Sequence, residues 1–485
     1  MKSLTTLMAG MAMAILSLPA FANLPTPISD KIAQTQVNPQ DVSIWVKPLD
    51  GGTLVMDYHS STPRIPASTQ KLVPTFVALH TLGENHHWFT RIYTRGIQIG
   101  SVLHGDVIVK GSGDPSLTHE RLNAMLEQLA HKGVKHIKGD IIVDNSAFNN
   151  VAYDVYAFDG QGLRAYNAQP NALLINYGTI SVDMTPSGHG ELTGETNKLG
   201  KPITRFVANG NDVAVNVLPK MAEFDFPKML MGGQACQEPR FSLSKTALSI
   251  SQPSVGCGTM TYWITMPNGD EFVRRAILGT WQSIDKDFTG QVRVESAKTY
   301  GLPIVSYPSK PLSAQIYDIN QHSNNVMTEQ VALSLPLVTG QAVSDYPSAF
   351  KFINDWWQTN MTTQAPVMTR ASGLCRNCQI APKSMGEMLE FAYHQPNFEV
   401  FKNSLPIAGQ TGTMIKLAQR NPNHPAIGRA FIKTGTLDNV TSMAGYALDT
   451  QGKWYVVVGM INSPNVAKSG AIEILDEMLA QVTTH

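Results

Sequence analysis

The chain has 485 residues, of which 43% are hydrophobic and 15% are charged. This length is enough for two or three globular domains, each with a hydrophobic core. The 37 basic residues balance the 37 acidic ones, so no net charge would gather nucleic acid or an anionic membrane surface. The composition favours a substrate, small molecule or polymer, that is recognised through local contacts.

The first residues have the pattern of a signal peptide. Lys2 precedes an uncharged run, and Ala20-Phe21-Ala22 is the small-x-small sequence that a signal peptidase cuts. Ser, Thr, Gly and Pro interrupt the run, whereas a membrane span needs about 20 apolar residues. We predict a signal peptide over residues 1–22 and export to a bacterial periplasm without a membrane anchor; an N-terminal anchor is the alternative.

Two short elements are predicted next. Ser29-Asp30 is expected to cap a short helix. The runs VSIWVKPL and GTLVMDY alternate between apolar and polar residues on either side of Asp50-Gly51-Gly52. This arrangement predicts a β-hairpin.

The stretch RIPASTQKLVPTFVALHTLG places Ser68 and Lys71 at the start of a predicted helix. Pro66 favours an extended approach, and the apolar residues have helical spacing up to Gly83. Free N–H groups at a helix N-terminus favour a developing negative charge, and Lys71 shares a face with Ser68. Pro74 lacks an N–H for the helix, so we predict a kink or loosened turn just after the pair.

The Ser-x-x-Lys spacing alone is not specific, because about two matches are expected by chance in a chain of this length. Ser68 and Lys71 are therefore interpreted as nucleophile and base because of their position at a helix start; the alternative is an ordinary polar helix start. Three other pairs lie in a strand-like run, a polar loop and an ordinary amphipathic helix: Ser242/Lys245, Ser283/Lys286 and Ser348/Lys351.

The middle of the chain, from residue 92 to about 286, consists mostly of short strand-like runs separated by Gly, Pro, Asn and Asp. Such a series predicts one or two small β-rich domains. The runs are RIYTRGIQIG, GDVIVKG, IKGDIIVDN, TISVDMTP, DVAVNVLP, TMTYWITMP and FVRRAIL. From Ile316 onward helical patterns return, notably NVMTEQVALSLPL and KSMGEMLEFAYHQ, and predict a helical lobe.

The four cysteines are expected to form disulfides in an exported protein. Proximity in sequence favours Cys236–Cys257 and Cys375–Cys378, although four cysteines allow three pairings. Cys375-Arg-Asn-Cys378 is alternatively a redox motif or half a zinc site, but a strand-helix context and a second close Cys or His pair are not evident in the sequence. We predict neither a metal nor a cofactor.

Three runs near the C-terminus, RAFIKTGTL, TSMAGYALD and KWYVVVGMINS, predict antiparallel strands at hairpin spacing. Ser469 is expected to cap a closing helix, AIEILDEMLAQV. Because the N-terminal hairpin has a similar pattern, we predict one sheet built from both ends of the chain, with the middle of the chain inserted.

Two further motifs can complete a site around Ser68. A serine hydroxyl becomes nucleophilic when a neutral lysine takes its proton, and the site then needs oxyanion donors and a substrate clamp. Ser323-Asn324-Asn325 offers a hydroxyl and an amide in a predicted loop before a helix, and Lys433-Thr434-Gly435 offers a cation and a hydroxyl on an edge-like strand. Each motif alone is weak; the ordered set is far more specific.

With these motifs the sequence resembles the penicillin-recognising serine peptidases, and more closely the D-alanyl-D-alanine carboxypeptidase and endopeptidase family of penicillin-binding protein 4. The resemblance covers most of the mature chain. It rests on PASTQKL, VKGSGDPSL, DNSAF, YNAQPNALLIN, SNN, SGLCR, SLPIAGQTGTM and KTGTL, which occur in family order.

The resemblance implies an α+β fold, in which a penicillin-binding transpeptidase-like domain combines an antiparallel sheet covered by helices with a helical lobe and carries inserted β-rich domains. We divide the chain into a signal peptide (1–22), a serine peptidase domain (23–91 and 287–485), an inserted β-rich domain (92–175 and 262–286) and a second, nested β-rich domain (176–261).

The resemblance also implies a role for each motif residue. Ser68 would attack the carbonyl of the penultimate D-alanine of a peptidoglycan stem peptide, or a β-lactam, and form an acyl-enzyme. Lys71 would accept its proton, Ser323 would pass it to the leaving D-alanine, and Asn325 would hold the substrate amide. Oxyanion donors would be the backbone N–H groups of Ser68 and Thr436. The terminal carboxylate and adjoining backbone would lie against Lys433, Thr434, Gly435 and Thr436.

Several residues depart from the family pattern. The block that usually reads Asp-Gly-Ser-Gly-Leu-Ser-Arg has Arg370, Ala371 and Cys375 at its first, second and sixth positions. None of these replaces a catalytic group. Asp144 and Arg376 are candidates for binding the charged end of a stem-peptide diamino acid, the alternative being solvated loop charges.

Two other functions would use the same motifs. A serine β-lactamase would deacylate penicillin fast, but the long insertion between Ser68 and Ser323 disfavours it. A non-catalytic penicillin or peptidoglycan sensor would usually have lost at least one motif residue. The sequence therefore favours a periplasmic serine DD-peptidase.

Overall fold

The computed structural model describes residues 24–53, 55–196, 202–299 and 301–484, so the predicted signal peptide lies outside the described residues. Within these ranges no helix has the length and hydropathy that a membrane span needs. The strands are β1 (Val42–Pro48), β2 (Met56–Tyr58), β3 (Phe89–Ile99), β4 (Val102–Lys110), β5 (His136–Ile137), β6 (Ile141–Asp144), β7 (Thr179–Thr196), β8 (Pro202–Leu218), β9 (Met229–Met231), β10 (Arg240–Leu243), β11 (Leu248–Ser251), β12 (Met260–Thr265), β13 (Val292–Val294), β14 (Val305–Pro308), β15 (Ala430–Leu437), β16 (Val440–Leu448) and β17 (Trp454–Asn462).

The helices include a long pair in the middle of the chain and a group that follows β14. They are α1 (Thr26–Gln34), α2 (Leu72–Leu82), α3 (His119–His131), α4 (Gly269–Ile284), α5 (Leu312–His322), α6 (Asn325–Val338), α7 (Tyr346–Asn360), α8 (Pro382–Tyr393), α9 (Phe398–Ser404), α10 (Ile415–Arg420) and α11 (Ala471–Thr483).

Both ends of the chain contribute to one antiparallel sheet, as predicted. Its strand order is β15-β16-β17-β1-β2, and β1 pairs with β17 from Val42 opposite Ile461 to Pro48 opposite Tyr455. The predicted N-terminal hairpin is present as β1 and β2. Strand β15, which carries the Lys-Thr-Gly motif, lies at an edge of the sheet.

The sheet is buried on both faces, which explains why β17 is apolar at nearly every position. Val456 and Val458 point into one core, built with α2, α6 and α8. Val457 points to the opposite core, built with α1 and α11. This alternation follows from the two-residue period of a strand, and it gives the α+β architecture of a sheet covered by helices with a helical lobe.

The inserted part of the chain forms two further sheets over a common core. One has the order β13-β6-β4-β3-β14, with β5 paired to β4, and the other has the order β12-β7-β8-β9; β10 and β11 form a separate pair. Side chains of both sheets, such as Val107 and Val182, belong to one hydrophobic cluster. Because β13 and β14 follow residue 286, the first inserted sheet extends beyond the predicted segment 262–286.

One predicted strand is wrong: FVRRAIL lies in the α-helix α4. The side chain of Asn268 accepts a hydrogen bond from the N–H of Glu271 and caps the helix, and Phe272, Val273, Ala276 and Ile277 are buried at helical spacing. The β-branched residues suggested a strand, but the cap and the apolar face that packs into the inserted core determine a helix. Ser283 therefore lies in the last turn of this helix rather than in a loop.

Two predicted caps are also wrong. Helix α1 begins at Thr26 after Pro25, so Ser29 lies inside it and bonds back to the carbonyl of Thr26. Helix α11 has Gly470 at its N-cap with φ 83°, and its cap makes no side-chain hydrogen bond. In both helices the chain entry is fixed by the backbone at the preceding residues rather than by a hydroxyl cap.

The helix at Ser68 changes type, but the 3-10 turn contains the pair and lies before Pro74, whereas Pro74 was predicted to loosen the turn just after the pair. Residues Ala67–Lys71 form a 3-10 helix and the α-helix begins at Leu72. The change lies before Pro74, which is the third residue of α2. Its missing N–H costs nothing there because the first turn of an α-helix has no intrahelical acceptors for its N–H groups.

The cysteines form the pairs favoured by their proximity in sequence. Cys236 is bonded to Cys257. Cys375 and Cys378 are bonded to each other. In the described part of the chain no group of three or more His, Cys, Asp or Glu side chains is arranged to hold a metal ion.

Candidate active site

Ser68 lies in the 3-10 turn, which is locked against the edge of the terminal sheet. Ala67 has φ 49°, a left-handed conformation that a non-glycine residue adopts only where the surroundings hold it. The carbonyl of Pro66 accepts hydrogen bonds from Thr69 Oγ1 at 2.7 Å and from Ser442 Oγ, on β16, at 2.6 Å. These contacts fix the position of the Ser68 hydroxyl relative to β15 and β16.

Gly435 allows this close approach. A Cβ at position 435 would lie 2.7 Å from the Pro66 carbonyl oxygen and 2.8 Å from the backbone nitrogen of Ser68. Only a residue without a side chain lets β15 lie directly against the turn. The glycine of the Lys-Thr-Gly motif therefore brings the strand edge to the candidate nucleophile.

Lys71 is fully buried, and its amino group lies at the centre of the site. Its Nζ is 2.9 Å from Ser68 Oγ, 2.7 Å from Asn325 Oδ1 and 2.6 Å from the carbonyl oxygen of Ser372. Both carbonyl oxygens can only accept hydrogen bonds. A neutral amine would use its two N–H groups on them, which leaves its lone pair facing the hydroxyl of Ser68.

The surroundings favour the neutral form of Lys71. Burial lowers its pKa well below the usual lysine value, the positive charge of Lys433 lowers it further, and the negative charge of Glu329 opposes both effects. A lysine with a strongly lowered pKa can act as a general base near neutral pH. The site thus meets the electrostatic requirement for activating a serine.

The Ser-x-Asn motif joins two helices beside this amine. Ser323 has φ 56° and ends α5, Asn324 caps α6, and Asn325 is the first residue of α6. While Asn325 Oδ1 accepts from Lys71, its Nδ2 donates to the carbonyl of Tyr166 at 2.9 Å. The motif therefore lies between Lys71 and the inserted part of the chain.

Lys433 is the second buried amine of the site. Its Nζ donates to Ser323 Oγ at 2.9 Å and to the carbonyl of Thr434 at 2.8 Å. Burial lowers the pKa of Lys433 to about 7. Lys433 is close to half-protonated at neutral pH, so an anionic group arriving beside it would favour its charged form.

The motif side chains open into a cleft of about 570 Å³. Thr413 Oγ1 lies 2.7 Å from Thr434 Oγ1 across it. The cleft presents hydroxyls on one side of a strand edge, which suits an extended peptide with a terminal carboxylate. Its lining includes Ser68, Ser323, Thr413, Thr434, Thr436 and Ser442.

The two candidates outside the motifs have different positions. Asp144 is buried at the end of β6, where its carboxylate pairs with Lys110 and accepts hydrogen bonds from the backbone and side chain of Ser146; it is not among the residues that line the cleft. Arg376 lies over the ring of Phe158 at 4.8 Å and 3.5 Å from Asp438, the residue after β15. Arg376 also lies outside the cleft lining, and its link to the motif strand is the ion pair with Asp438.

Sequence reasoning missed two groups that lie on or beside the segment bonded to Lys71. One is the backbone carbonyl of Ser372, which no side-chain pattern reveals. The other is Glu329, a buried carboxylate that accepts hydrogen bonds from the N–H groups of Ala371 and Ser372. A signal for Glu329 was available: it is the charged residue of the predicted helix and lies four residues after Asn325, on the same helical face.

The chain matches one family model over nearly all of its described length. The model is the D-Ala-D-Ala carboxypeptidase 3 (S13) family, and the match covers residues 24–482.

Curated relatives agree with this match. The chain is 25% identical to the D-alanyl-D-alanine carboxypeptidase DacB of Haemophilus influenzae, over 95% of this chain and 93% of the relative. It is 23% identical to a D-alanyl-D-alanine carboxypeptidase of Actinomadura sp., over 80% of this chain and 72% of the relative.

Solved structures show the same fold. The crystal structure of penicillin-binding protein 4 from Haemophilus influenzae matches with a TM-score of 0.74 and 19% identity, over 95% of this chain and 100% of that one. A second crystal structure of that protein, in complex with a β-lactam, matches with a TM-score of 0.71 over the same shares and at the same identity.

Proposed function

Because this chain belongs to the D-Ala-D-Ala carboxypeptidase 3 (S13) family, we propose that it is a serine DD-peptidase that acts on peptidoglycan stem peptides through an acyl-enzyme at Ser68. The observation that carries the proposal is the position of the buried Lys71 amine, which bonds two carbonyl oxygens and lies 2.9 Å from Ser68 Oγ. This arrangement activates the hydroxyl without a metal or a histidine.

Acylation begins when Ser68 Oγ attacks the carbonyl of the penultimate D-alanine and Lys71 Nζ takes the hydroxyl proton. The backbone N–H groups of Ser68 and Thr436 stabilise the oxyanion; the close approach of β15 to the turn at Gly435 supports their pairing in this role. The proton then passes through Ser323 to the leaving D-alanine, whose nitrogen becomes an amine. Water subsequently attacks the ester carbonyl, Ser68 regains its proton, and the shortened peptide leaves.

The remaining motif residues hold the substrate. Asn325 lies where it can bond the substrate amide, and the pair Lys433 and Ser323 forms a positive end to the cleft for the terminal carboxylate. Thr434 and Thr436 present hydroxyls along the same strand edge. Asp144 and Arg376 are the candidates for the charged end of the stem-peptide side chain; Asp144 is paired with Lys110, and Arg376 with Asp438.

The proposed substrate includes β-lactams and both free and cross-linked stem peptides. A β-lactam presents a carbonyl and a carboxylate at comparable positions, and its acyl-enzyme at Ser68 would be long-lived. The β-lactam complex of the Haemophilus influenzae protein supports this extension. We further propose that the enzyme works in the periplasm, where its substrate lies, after removal of residues 1–22.

We also propose that the two ends of the chain form the peptidase domain. The segment between them forms two β-rich units, one nested within the other. The shared sheet of β3, β13 and β14 supports a boundary after Pro308 rather than after residue 286. The nested unit was predicted over residues 176–261; the second sheet and the separate pair of strands run from Thr179 to Thr265, which supports an end after β12.

Digestion of purified muropeptides tests the activity. Monomeric pentapeptides that lose one D-alanine show carboxypeptidase activity, and cross-linked dimers that become monomers show endopeptidase activity. We expect at least one of these products from the native enzyme and none from Ser68→Ala. Folded native enzyme that binds penicillin but yields neither product would refute the peptidase and support a sensor; rapid hydrolysis of penicillin instead would support a β-lactamase.

A further inference from the structure

Glu329 is a buried carboxylate next to the catalytic amine. Only 2% of its surface is exposed. It lies on α6 one turn after Asn325, so both side chains project from the same face of the helix. Asn325 uses that face to contact Lys71 directly, and Glu329 reaches the segment that follows Arg370.

The carboxylate of Glu329 accepts two backbone hydrogen bonds, one on each oxygen. The N–H of Ala371 donates to Oε2 and the N–H of Ser372 donates to Oε1, both at 3.0 Å. Hydrogen bonds to a charged acceptor are about twice as strong as those between neutral groups. Because the two donors are adjacent, the bonds fix the orientation of the peptide group between Ala371 and Ser372. They also limit rotation of the backbone at Ser372.

The other side of this segment contacts the nucleophile turn. The Ser372 carbonyl oxygen accepts from Lys71 Nζ at 2.6 Å, and the Arg370 carbonyl oxygen accepts from Gln70 Nε2 at 2.5 Å. Gly373 packs so closely that a Cβ there would lie 1.9 Å from the carbonyl oxygen of Ala67. The segment is therefore held between Glu329 on one side and the residues around Ser68 on the other.

We propose that Glu329 is a positioning residue for Lys71, acting through the backbone of Ala371 and Ser372. The inference rests on the proposed function, in which Lys71 is the general base. The Ser372 carbonyl takes one N–H of the neutral amine and the Asn325 amide oxygen takes the other. If the Ser372 carbonyl turns away, the lone pair no longer points at Ser68.

The charges around this pair act in opposite directions. Lys433 lowers the pKa of Lys71 in addition to the effect of burial, and Glu329 raises it. The negative charge of Glu329 likewise helps to raise the pKa of Tyr153 and of Tyr346, although burial is the larger cause for both. Both phenols therefore stay neutral, and Glu329 is the carboxylate whose charge acts on Lys71.

Arg370 is the remaining charged group near the carboxylate. Its guanidinium lies over the ring of Tyr153 at 3.7 Å and over the ring of Tyr346 at 4.8 Å, and Arg370 and Glu329 line the same small cavity. The two backbone N–H groups, not Arg370, are the hydrogen-bond donors recorded for Glu329 among the described residues. The carboxylate is thus directed at the backbone of the Ala371–Ser372 segment.

The test compares Glu329→Gln with Glu387→Gln. Glu387, in the helical lobe, also accepts two backbone N–H bonds, from Thr362 and Thr363, so the same chemical change is made away from Lys71. The measurement is the second-order rate constant for acylation of Ser68 by a labelled penicillin, as a function of pH, normalised to the folded fraction by circular dichroism.

We expect E329Q to lower the maximum acylation rate by about 10- to 100-fold, the size of effect that misplacement of a reacting group produces. The acidic side of its pH profile should also move to lower pH, because loss of the negative charge lowers the pKa of Lys71. E387Q should reproduce the wild-type profile. An E329Q profile equal to wild type in height and position, or a loss that matches E387Q, would overturn the proposal.

Glu329→Asp keeps the inference testable if E329Q does not fold. The shorter side chain keeps the charge but cannot span both N–H groups at the same distances. We expect a lowered maximum rate with the acidic side of the profile unmoved, and a wild-type maximum would refute the positioning role. The native enzyme must first form a penicillin adduct at Ser68. If it does not, the proposed function is refuted. If it does, but the Glu329 variants acylate as fast as wild type, only this inference is refuted.

Discussion

At the scale of single residues, the proposed mechanism gives two buried lysines different tasks. Lys71 needs to be neutral to take a proton, and three fixed partners determine the direction of its lone pair. Lys433 needs to be charged to hold a carboxylate, yet burial lowers its pKa to about 7. The substrate itself then favours the protonated form of Lys433, since an anion beside it stabilises the positive charge.

This difference predicts the pH dependence of peptide hydrolysis. Above about pH 7 free Lys433 loses its proton, so kcat/KM for a peptide with a terminal carboxylate should fall, whereas kcat should fall only at higher pH because bound carboxylate raises the pKa of Lys433. Steady-state kinetics over about pH 6 to 9 measure both. Lys433→Arg, whose guanidinium stays charged, should abolish the fall in kcat/KM; a wild-type kcat/KM that is flat over this range would contradict the role of Lys433.

The motif side chains could be predicted from the sequence because each motif has a fixed spacing on a predictable element. Ser68 and Lys71 needed only a helix start, and Lys433 only an edge strand. Helical spacing could place Glu329 on the face of Asn325, but its partner and the Ser372 carbonyl could not be assigned, because they depend on how α6 packs against a loop more than 40 residues away in sequence. Local patterns contain no information on that contact.

At the scale of elements, the central contact is that of β15 with the 3-10 turn. The backbone of Gly435 lies against Pro66 and Ser68, and a Cβ there would also lie 2.4 Å from Ser442 Oγ. None of these neighbouring atoms is the far end of a long, flexible side chain that could move away. The turn and the strand edge therefore have to separate before any side chain fits at position 435.

Gly435→Ala is accordingly expected to cost about 1–3 kcal/mol of unfolding free energy, the range for an overpacked site, and to slow acylation by penicillin. Denaturant unfolding and the acylation rate measure the two effects. Gly233→Ala is the matched control, since nothing lies within 4 Å of its Cβ position, and it should change stability by less than about 0.5 kcal/mol. Equal behaviour of the two variants would show that the close approach is unimportant.

The elements themselves were predictable to different degrees. Strands β15, β16 and β17 follow from alternation and hairpin spacing, and α6 and α8 from helical spacing. FVRRAIL misled because Val and Ile favour strands, whereas the structure has α4 there with an asparagine cap at Asn268. The cap and the helical spacing of the buried residues outweighed β propensity, which is a weak determinant without tertiary context.

At the scale of the whole molecule, the inserted sheets are built over their own core, separate from the two cores of the terminal sheet. Sequence could indicate an insertion, because the middle of the chain changes to short strands. It could not indicate that β13 and β14 return to the inserted sheet after residue 286. Those pairings join segments that are distant along the chain, and only the assembled sheet shows them.

Removal of the Cys236–Cys257 disulfide tests this separation. The bond closes a loop with a sequence separation of 21, so Cys236→Ser with Cys257→Ser should cost about 3 kcal/mol in the unfolding of the inserted part. Acylation by penicillin should stay unchanged where the variant is folded. Cys375→Ser with Cys378→Ser, with a separation of 3, should cost less stability. Slower acylation by the first variant would show that the nested unit supports the site.

The most direct test of the whole account is to locate the penicillin adduct. Purified protein is incubated with a labelled penicillin, digested and mapped, alongside Ser68→Ala and the control Ser242→Ala, which removes a serine with the same Ser-x-x-Lys spacing on the exposed strand β10. We predict a stable label on the peptide that contains Ser68 in the native protein and in S242A, and no label in S68A. A stable label on any other residue, or undiminished labelling of S68A, would contradict the account.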